Sequence, residues 1–170
     1  MQDKKFLTVM AVLDDKTQAI LTDVQNRIIE KAGEGTQTMG IPFHVTLGSY
    51  DTNELCAVTE RVKQAANDFC AFPIRLVSYN SFGDSVFFVE PSREVSLVEL
   101  RHRFENDFAH SFEWVPHATL FCGSEEQVKA ARQNAPALEF PIDAKIVAIE
   151  LGEFFPAKKI IREQLKEVNK

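Results

Sequence analysis

The pattern His-x-Thr-Leu occurs twice in this sequence, as HVTL at 44–47 and as HATL at 117–120. Each copy lies in an apolar segment that is typical of a β-strand. Around both copies the chain repeats one order of patterns: strand, helix, His-x-Thr-Leu strand, helix, strand. The first half spans roughly residues 5–79 and the second roughly residues 85–155. Because halves of this size are small, we expect them to share one core, in a single domain that covers residues 1–170.

The composition of the chain makes a chance repeat improbable. The sequence has four His, nine Thr and twelve Leu. For this composition, the probability that two of the four histidines are followed by x-Thr-Leu is on the order of one in ten thousand. One copy alone would be typical of a half-buried polar pair in a strand. Two copies at matching positions of a repeat instead indicate a shared role.

Hydrophobic periodicity predicts the remaining elements. Ser124 and Gln127 form a capping box that opens a short fourth helix. The tail 157–169 fits a helix and an alternating strand equally well. The predicted strands cover residues 6–14, 43–50, 72–82, 85–92, 116–123 and 140–155, and the first three predicted helices cover residues 17–33, 52–69 and about 93–108.

Strand alternation gives each motif a polar face and an apolar face. Residues i and i+2 of a strand point the same way, so His44 and Thr46 share one face. His117 and Thr119 share a face of the second strand for the same reason. Each motif therefore offers an imidazole and a hydroxyl side by side, and the residues between them point to the opposite face.

The same alternation places Tyr50 and Phe121 on the polar side of their strands, where either ring could stack on a nucleobase. Burial in the core explains these two rings equally well. Cys122 is placed on the side opposite to Thr119, which predicts a small core residue rather than a nucleophile.

Two His-Thr pairs that face each other across a cleft suit phosphate chemistry. Two imidazoles of near-neutral pKa can divide acid–base work, one removing a proton from a nucleophile and one protonating a leaving group. Two hydroxyls can hydrogen-bond the non-bridging oxygens of a phosphate. This set suits in-line displacement at a phosphodiester without a metal. We predict no metal and no other cofactor, because the sequence has no HExxH, no Cys/His cluster and no Asp-rich ligand string.

The paired HVTL and HATL resemble the signature of the 2H phosphoesterase superfamily, which includes 2′-5′ RNA ligase-like proteins and RNA 2′,3′-cyclic phosphodiesterases. The resemblance extends over most of the chain, because length, repeat and element order all agree. It implies an α+β fold: a bilobal, pseudo-two-fold repeat in which two antiparallel sheets line a central cleft, with helices outside. It also implies that the tail forms a strand, at about residues 157–166, that completes a sheet.

The resemblance further implies hydrolysis of 2′,3′-cyclic phosphates, or of 2′-5′ and other nucleotide phosphodiesters. His117 would activate water, His44 would protonate the leaving 3′ oxygen, and Thr46 and Thr119 would hold the phosphate. Symmetry allows the two histidines to exchange roles, and RNA ligation is the same path in reverse. Two other functions stay open: a phosphate- or nucleotide-binding module without turnover, and a structural protein in which the motifs are packing.

Charge and cysteine usage narrow the possible partners. The net charge of −6 is opposite to the basic excess of proteins that bind long nucleic acids, so we expect a small nucleotide or an RNA terminus as partner. No apolar run reaches the ~20 residues of a membrane-spanning helix, so we expect no membrane. The three cysteines lack CxxC spacing and are typical of reduced thiols, which favours the cytoplasm. We expect a monomer.

Three other features have ordinary interpretations. Arg101, His102 and Arg103 are predicted to form a solvated basic patch on the outer face of the third helix. His110 is predicted to lie in a loop without a role. The loop 34–42 is either a flap over the cleft or an ordinary surface loop.

Overall fold

The computed structural model describes residues 4–105 and 113–168 as a mixed α/β structure whose elements follow the predicted order. The third helix ends at His102, earlier than predicted. Phe108, at the predicted end of this helix, and His110, in the predicted loop, lie outside the described residues. The elements are β1 (Phe6–Leu13), α1 (Asp15–Ala32), β2 (His44–Asp51), α2 (Leu55–Asp68), β3 (Phe72–Phe82), β4 (Val86–Pro91), α3 (Val95–His102), β5 (Ala118–Cys122), α4 (Glu125–Asn134), β6 (Ile142–Phe154) and β7 (Lys158–Gln164).

The strands of the described residues form one antiparallel sheet in the order β2-β1-β6-β3-β4-β5, and β7 also pairs with β6. Strand β6 belongs to both lobes, because its residues 142–146 pair with β3 and its residues 148–153 pair with β7. Because both lobes share β6, the two sheets that were expected are parts of one continuous sheet. The bilobal α+β fold is confirmed. Strand β7 confirms the strand interpretation of the tail.

The two ends of the sheet come together in space. Strands β2 and β5 are the first and last in the order, yet some of their Cα atoms lie within 8 Å of one another. Trp114, which precedes β5, donates its indole N–H to the carbonyl oxygen of Thr46 at 3.0 Å. Gln25 of α1 donates to the carbonyl oxygen of Leu120 at 2.8 Å. The curved sheet therefore brings the two motif strands to one cleft without closing into a barrel.

The core lies between one face of the sheet and the helices. The capping box opens α4 as predicted, with Ser124 Oγ accepting from the backbone N–H of Gln127. No helix among the described residues is long and apolar enough to cross a bilayer. The buried apolar positions of the helices match the helical pattern of the sequence and include Leu21, Val24, Ile28, Val58, Val62, Leu97, Leu100 and Val128.

Candidate active site

Each motif presents its polar residues to the cleft and its apolar residues to the core. The four residues that the sequence places on the polar faces are partly exposed: His44, Thr46, His117 and Thr119. The four residues that alternate with them are fully buried: Val45, Leu47, Ala118 and Leu120. The predicted alternation therefore holds through both His-x-Thr-Leu segments.

Two cavities flank the motif strands, and each takes residues from both halves. A cavity of about 510 Å³ is lined by His44 together with Thr119, and we call it the His44 cavity. A cavity of about 590 Å³ is lined by His117 together with Thr46, and we call it the His117 cavity. Each histidine therefore shares its cavity with the threonine of the opposite motif. This crossed arrangement is what a two-fold relation between the halves produces.

Both histidines are held by the same hydrogen bond. Nδ1 of His44 donates to the carbonyl oxygen of Pro42, and Nδ1 of His117 donates to that of Val115, each at 2.8 Å. A carbonyl oxygen only accepts, so Nδ1 carries the proton of the neutral ring. In both residues this leaves Nε2 as the basic nitrogen.

Burial lowers the pKa of both imidazoles below the ordinary value for histidine. At His44 the hydrogen bond to Pro42 opposes this shift, and the charge of a protonated His117 adds to it. At His117 the hydrogen bond to Val115 opposes the effect of burial. Both rings are therefore neutral at pH 7, and they lie close enough for one charge to affect the other.

The ring of His117 packs into an aromatic corner. Its centroid lies 4.8 Å from that of Phe82, edge to face, and 5.3 Å from that of Phe88. These contacts restrict rotation of the imidazole and exclude water from its sides. They also account for the burial that lowers its pKa.

A β-bulge follows the His-x-Thr pair in both halves. The register of β2 with β1 skips Leu47, and the register of β5 with β4 skips Leu120. Each leucine is the extra residue of its bulge, so the alternation of the side chains that follow is reversed. The structural repeat therefore includes the distortion as well as the motif.

Of the two interpretations left open for Tyr50 and Phe121, burial in the core is the one that the structure supports, because both residues are 0% exposed. The bulges at Leu47 and Leu120 turn these rings from the cleft to the core. Tyr50 instead donates its hydroxyl to the carbonyl oxygen of Phe104 at 2.6 Å, and burial raises the pKa of this hydroxyl. Both residues contribute to packing and offer no face to a base.

The same reversal turns Cys122 toward the His44 cavity, beside Thr119, which corrects its predicted orientation. Burial raises the pKa of this thiol, so it is protonated at neutral pH. The thiol is therefore a lining group of the cavity and a poor nucleophile in the resting protein.

The loop 34–42 forms one wall of the His44 cavity. The backbone N–H of Thr36 donates to the carbonyl oxygen of Cys122 at 2.7 Å, and the N–H of Cys122 donates to Oε1 of Gln37 at 3.2 Å. The loop is thus bonded to β5 just beyond the second motif. At its outer end the side chain of Met39 is 57% exposed.

Arg101 is a lining residue that sequence reasoning missed, because the prediction placed it in a solvated patch. It lines the His117 cavity, and its guanidinium carbon lies 5.5 Å from the ring centroid of Trp114. His102 and Arg103 are exposed, as predicted. The available signal was helix phase, since residue 101 follows the buried Leu97 at i+4 and so shares its face.

Two exposed aromatic rings also border the cavities. Phe155, 62% exposed, lines the His44 cavity, and Phe82, 37% exposed, lines the His117 cavity. Each lies beside the turn of a β-hairpin, at the end of β6 or of β3. An aromatic residue next to a turn segment was the only sequence signal for either ring.

The two cavities differ in charge. Among the described residues, none that lines the His44 cavity is Asp, Glu, Lys or Arg, whereas the His117 cavity includes Arg101 and Glu113. Within residues 4–105 and 113–168, no group of three or more His, Cys, Asp or Glu side chains is arranged to hold a metal ion.

Comparisons with known proteins identify the family and the fold of this chain. A sequence profile described as the 2′-5′ RNA ligase superfamily matches residues 42–153, which include both motifs. The crystal structure of TT0787 of Thermus thermophilus has a TM-score of 0.63 at 17% identity and covers 96% of this chain and 100% of that chain. Structures of Escherichia coli LigT are also similar: the apo form has a TM-score of 0.56 at 14% identity and the 3′-AMP complex 0.56 at 13%, each covering 97% of this chain and 100% of that chain. Such identities show a shared fold. The sequence has no significant match among curated proteins.

Proposed function

The chain belongs to the 2′-5′ RNA ligase superfamily, a group of phosphoesterases, and we propose that it is a metal-independent phosphodiesterase acting on 2′,3′-cyclic phosphate or 2′-5′-linked ends of nucleotides or RNA. One observation carries the proposal. Two neutral imidazoles share a cleft, each with Nδ1 bonded to a backbone carbonyl and Nε2 left as the basic nitrogen. This arrangement supports an acid and a base on either side of one phosphate.

In the proposed reaction, the phosphate lies between the two His-Thr pairs. Nε2 of His117 takes a proton from water as the water oxygen forms a bond to phosphorus. The bond from phosphorus to the 3′ oxygen breaks, and Nε2 of His44 protonates that oxygen. A 2′,3′-cyclic phosphate is thereby converted to a 2′-phosphate, with one water added.

The two threonines and the bound phosphate complete the proposed mechanism. The hydroxyls of Thr46 and Thr119 donate to the non-bridging oxygens, where negative charge grows in the transition state. The anionic phosphate raises the pKa of a nearby imidazole, so substrate binding favours the protonated form that the acid needs. The charge of that imidazole in turn stabilises the phosphate.

Several features support a small nucleotide or an RNA end as substrate. Cavities of about 510 and 590 Å³ are within the usual range for small-molecule sites. Escherichia coli LigT, which shares this fold, has been crystallised with 3′-AMP and with ATP. The net charge of −6 offers little attraction for an extended nucleic acid.

The test is hydrolysis of 2′,3′-cyclic nucleotides in the presence of EDTA. We expect His44→Ala and His117→Ala each to lower kcat by about 10²–10⁴-fold. His102→Ala is the matched control, because this exposed histidine pairs with Glu105 on the outer side of α3 and should leave kcat unchanged. Full activity in both single variants would refute the two-histidine mechanism, and loss of wild-type activity in EDTA would refute metal independence.

Binding measurements separate the enzyme from a binding module. If the wild-type protein binds nucleotides tightly without forming product, and if neither histidine affects binding, then the site is a phosphate-binding module. Product formation that depends on both histidines excludes that alternative.

A further inference from the structure

Arg101 provides the fixed positive charge of the site. Arginine stays protonated at every accessible pH, whereas His44 and His117 are neutral at pH 7. Among the described residues that line either cavity, Arg101 is the one lysine or arginine. The net charge of the chain is −6, so the positive charge of Arg101 at this cavity is opposite in sign to that of the protein as a whole.

The guanidinium has hydrogen-bonding capacity to spare. Its Nε and Nη1 atoms are buried and have no hydrogen-bond partner within residues 4–105 and 113–168. Arg101 is partly exposed, but buried N–H groups without an acceptor are costly, and an anion from a ligand would satisfy them. Its position is set by Trp114, whose ring lies beneath it and whose indole N–H is bonded to Thr46 of the first motif.

Among the described residues, no neighbouring charge forms an ion pair with Arg101. Arg103 pairs with Asp68, and Glu105 pairs with His102, although the charge of Arg101 also helps to lower the pKa of Glu105. The carboxylate of Glu113 lines the same cavity and is its one acidic group among the described residues. This carboxylate would repel an anion, so the balance between it and Arg101 decides where a phosphate can lie.

The shape of the His117 cavity indicates what accompanies that anion. Its volume of about 590 Å³ is far more than one phosphate needs. Its lining is largely apolar and includes the rings of Phe82 and Trp114. A nucleoside suits this space, with its base against an aromatic ring.

We infer that the His117 cavity holds the terminal nucleoside of the substrate and that Arg101 binds the phosphate at the 5′ position of that nucleoside. The inference rests on the proposed function, because it takes the phosphate between the two His-Thr pairs as the first anionic site. It deepens that function by naming the substrate class: an oligonucleotide end, or a nucleotide with a 5′-phosphate, rather than an unsubstituted nucleoside cyclic phosphate.

The test compares two substrates that differ only in the 5′-phosphate, adenosine 2′,3′-cyclic phosphate and its 5′-phosphorylated form. We expect the wild-type protein to favour the 5′-phosphorylated form by about tenfold or more in kcat/KM, through KM. Arg101→Gln should reduce this preference to within about twofold, chiefly by raising KM for the 5′-phosphorylated substrate. Arg103→Gln is the matched control, since it removes the same charge next to α3 but outside both cavities.

A binding measurement tests the inference without turnover. Calorimetry with 3′-AMP and adenosine 3′,5′-bisphosphate should show the same preference and the same loss in Arg101→Gln. Arg101→Lys, which keeps the charge but not the planar fork, should retain part of the preference and serves if the glutamine variant does not fold.

The outcomes separate the inference from the proposed function. If the wild-type protein binds 3′-AMP and adenosine 3′,5′-bisphosphate with equal affinity, the inference is overturned, even if both cyclic substrates are hydrolysed. A decrease in kcat that is equal for both substrates in Arg101→Gln also overturns it, because Arg101 would then act on the scissile phosphate. Absence of any hydrolysis refutes the proposed function, and the calorimetric preference still decides the role of Arg101.

Discussion

His44 and His117 make the same contact: Nδ1 of each lies 2.8 Å from the carbonyl oxygen of the residue two positions earlier. The two halves therefore share the His-x-Thr-Leu sequence and also the tautomer of the histidine ring. The two rings also line the same cleft, and burial lowers the pKa of both. Their hydrogen bonds and pKa shifts therefore do not distinguish the general acid from the general base. The substrate, rather than the resting protein, would then decide which ring is protonated.

The downward shifts predict an acidic pH optimum. The general base must be neutral, so activity is lost as pH falls through the pKa of that residue. The general acid must be protonated, so activity is lost as pH rises through its pKa. Both values lie below 6.5 in the free protein, so kcat/KM should peak below pH 6.5 and fall roughly tenfold per pH unit on the alkaline side. The measurement is a pH profile of kcat/KM, and an optimum near pH 8 would contradict the assignment.

The threonine hydroxyls should contribute through the phosphate. We expect Thr46→Val and Thr119→Val each to lower kcat/KM by about 10- to 100-fold, because each removes one hydrogen bond to a charged group. Valine keeps the strand-forming shape, so the melting temperature should change little. Thr59→Val is the control, since that hydroxyl is bonded to the carbonyl oxygen of Leu55 on the exposed side of α2. Unchanged kinetics in both motif variants would exclude phosphate binding by these hydroxyls.

Stacking on a base should depend on Phe155 and Phe82 rather than on the buried Tyr50. Phe155→Ala should raise KM for a 2′-5′-linked dinucleotide by about tenfold with little change in kcat, because the ring is exposed at the His44 cavity and can stack on the base on the other side of the linkage. Phe82→Ala should change both constants, because this ring also packs against His117. Tyr50→Phe should leave both constants unchanged and lower the free energy of unfolding by about 1–3 kcal/mol, since the carbonyl of Phe104 loses its partner. Steady-state kinetics and urea denaturation would distinguish these outcomes.

The features that the sequence predicted correctly are short-range or repeated. Alternation over three residues is enough to place His44 with Thr46 and His117 with Thr119, because no irregularity falls within that distance. The repeat indicates that the two pairs belong to matching halves. The strand nature of β7 followed from the family resemblance, since its own periodicity is ambiguous.

The features that were missed depend on interactions between strands. The bulges at Leu47 and Leu120 arise from the register with β1 and β4, and a period of two along one strand contains no trace of them. Every side chain after a bulge is therefore assigned to the wrong face, which explains the errors at Tyr50, Phe121 and Cys122. The pairing of β6 with strands of both lobes could not be predicted either, because hydrophobic periodicity does not determine which strands pair with each other.

The orientation of Cys122 leads to a prediction about thiol reactivity. Cys56 and Cys70 are exposed, whereas Cys122 is partly buried with a raised pKa. Iodoacetamide at pH 7 should therefore modify Cys56 and Cys70 well before Cys122. Modification of Cys122 should abolish activity and should be slowed by 3′-AMP, because the thiol lines the His44 cavity. Mass spectrometry of timed samples gives the order, with Cys122→Ser as the variant that should resist inactivation; equal rates with and without 3′-AMP would contradict its place in the cavity.

Gly35 controls how closely the loop 34–42 approaches β5. A Cβ at this position would overlap the carbonyl oxygen of Cys122 and would lie 2.8 Å from the ring of Phe121. Gly35→Ala should therefore displace the loop, weaken its hydrogen bonds to Cys122 and raise KM, at a cost of about 1–3 kcal/mol in the free energy of unfolding. Gly40 offers the contrast in the same loop, because its φ of 81° disfavours alanine but no atom lies within 4 Å of the added Cβ. Gly40→Ala should cost about 1 kcal/mol and leave KM unchanged. A similar rise of KM in both variants would show that backbone strain, rather than the contact with β5, governs the cavity wall.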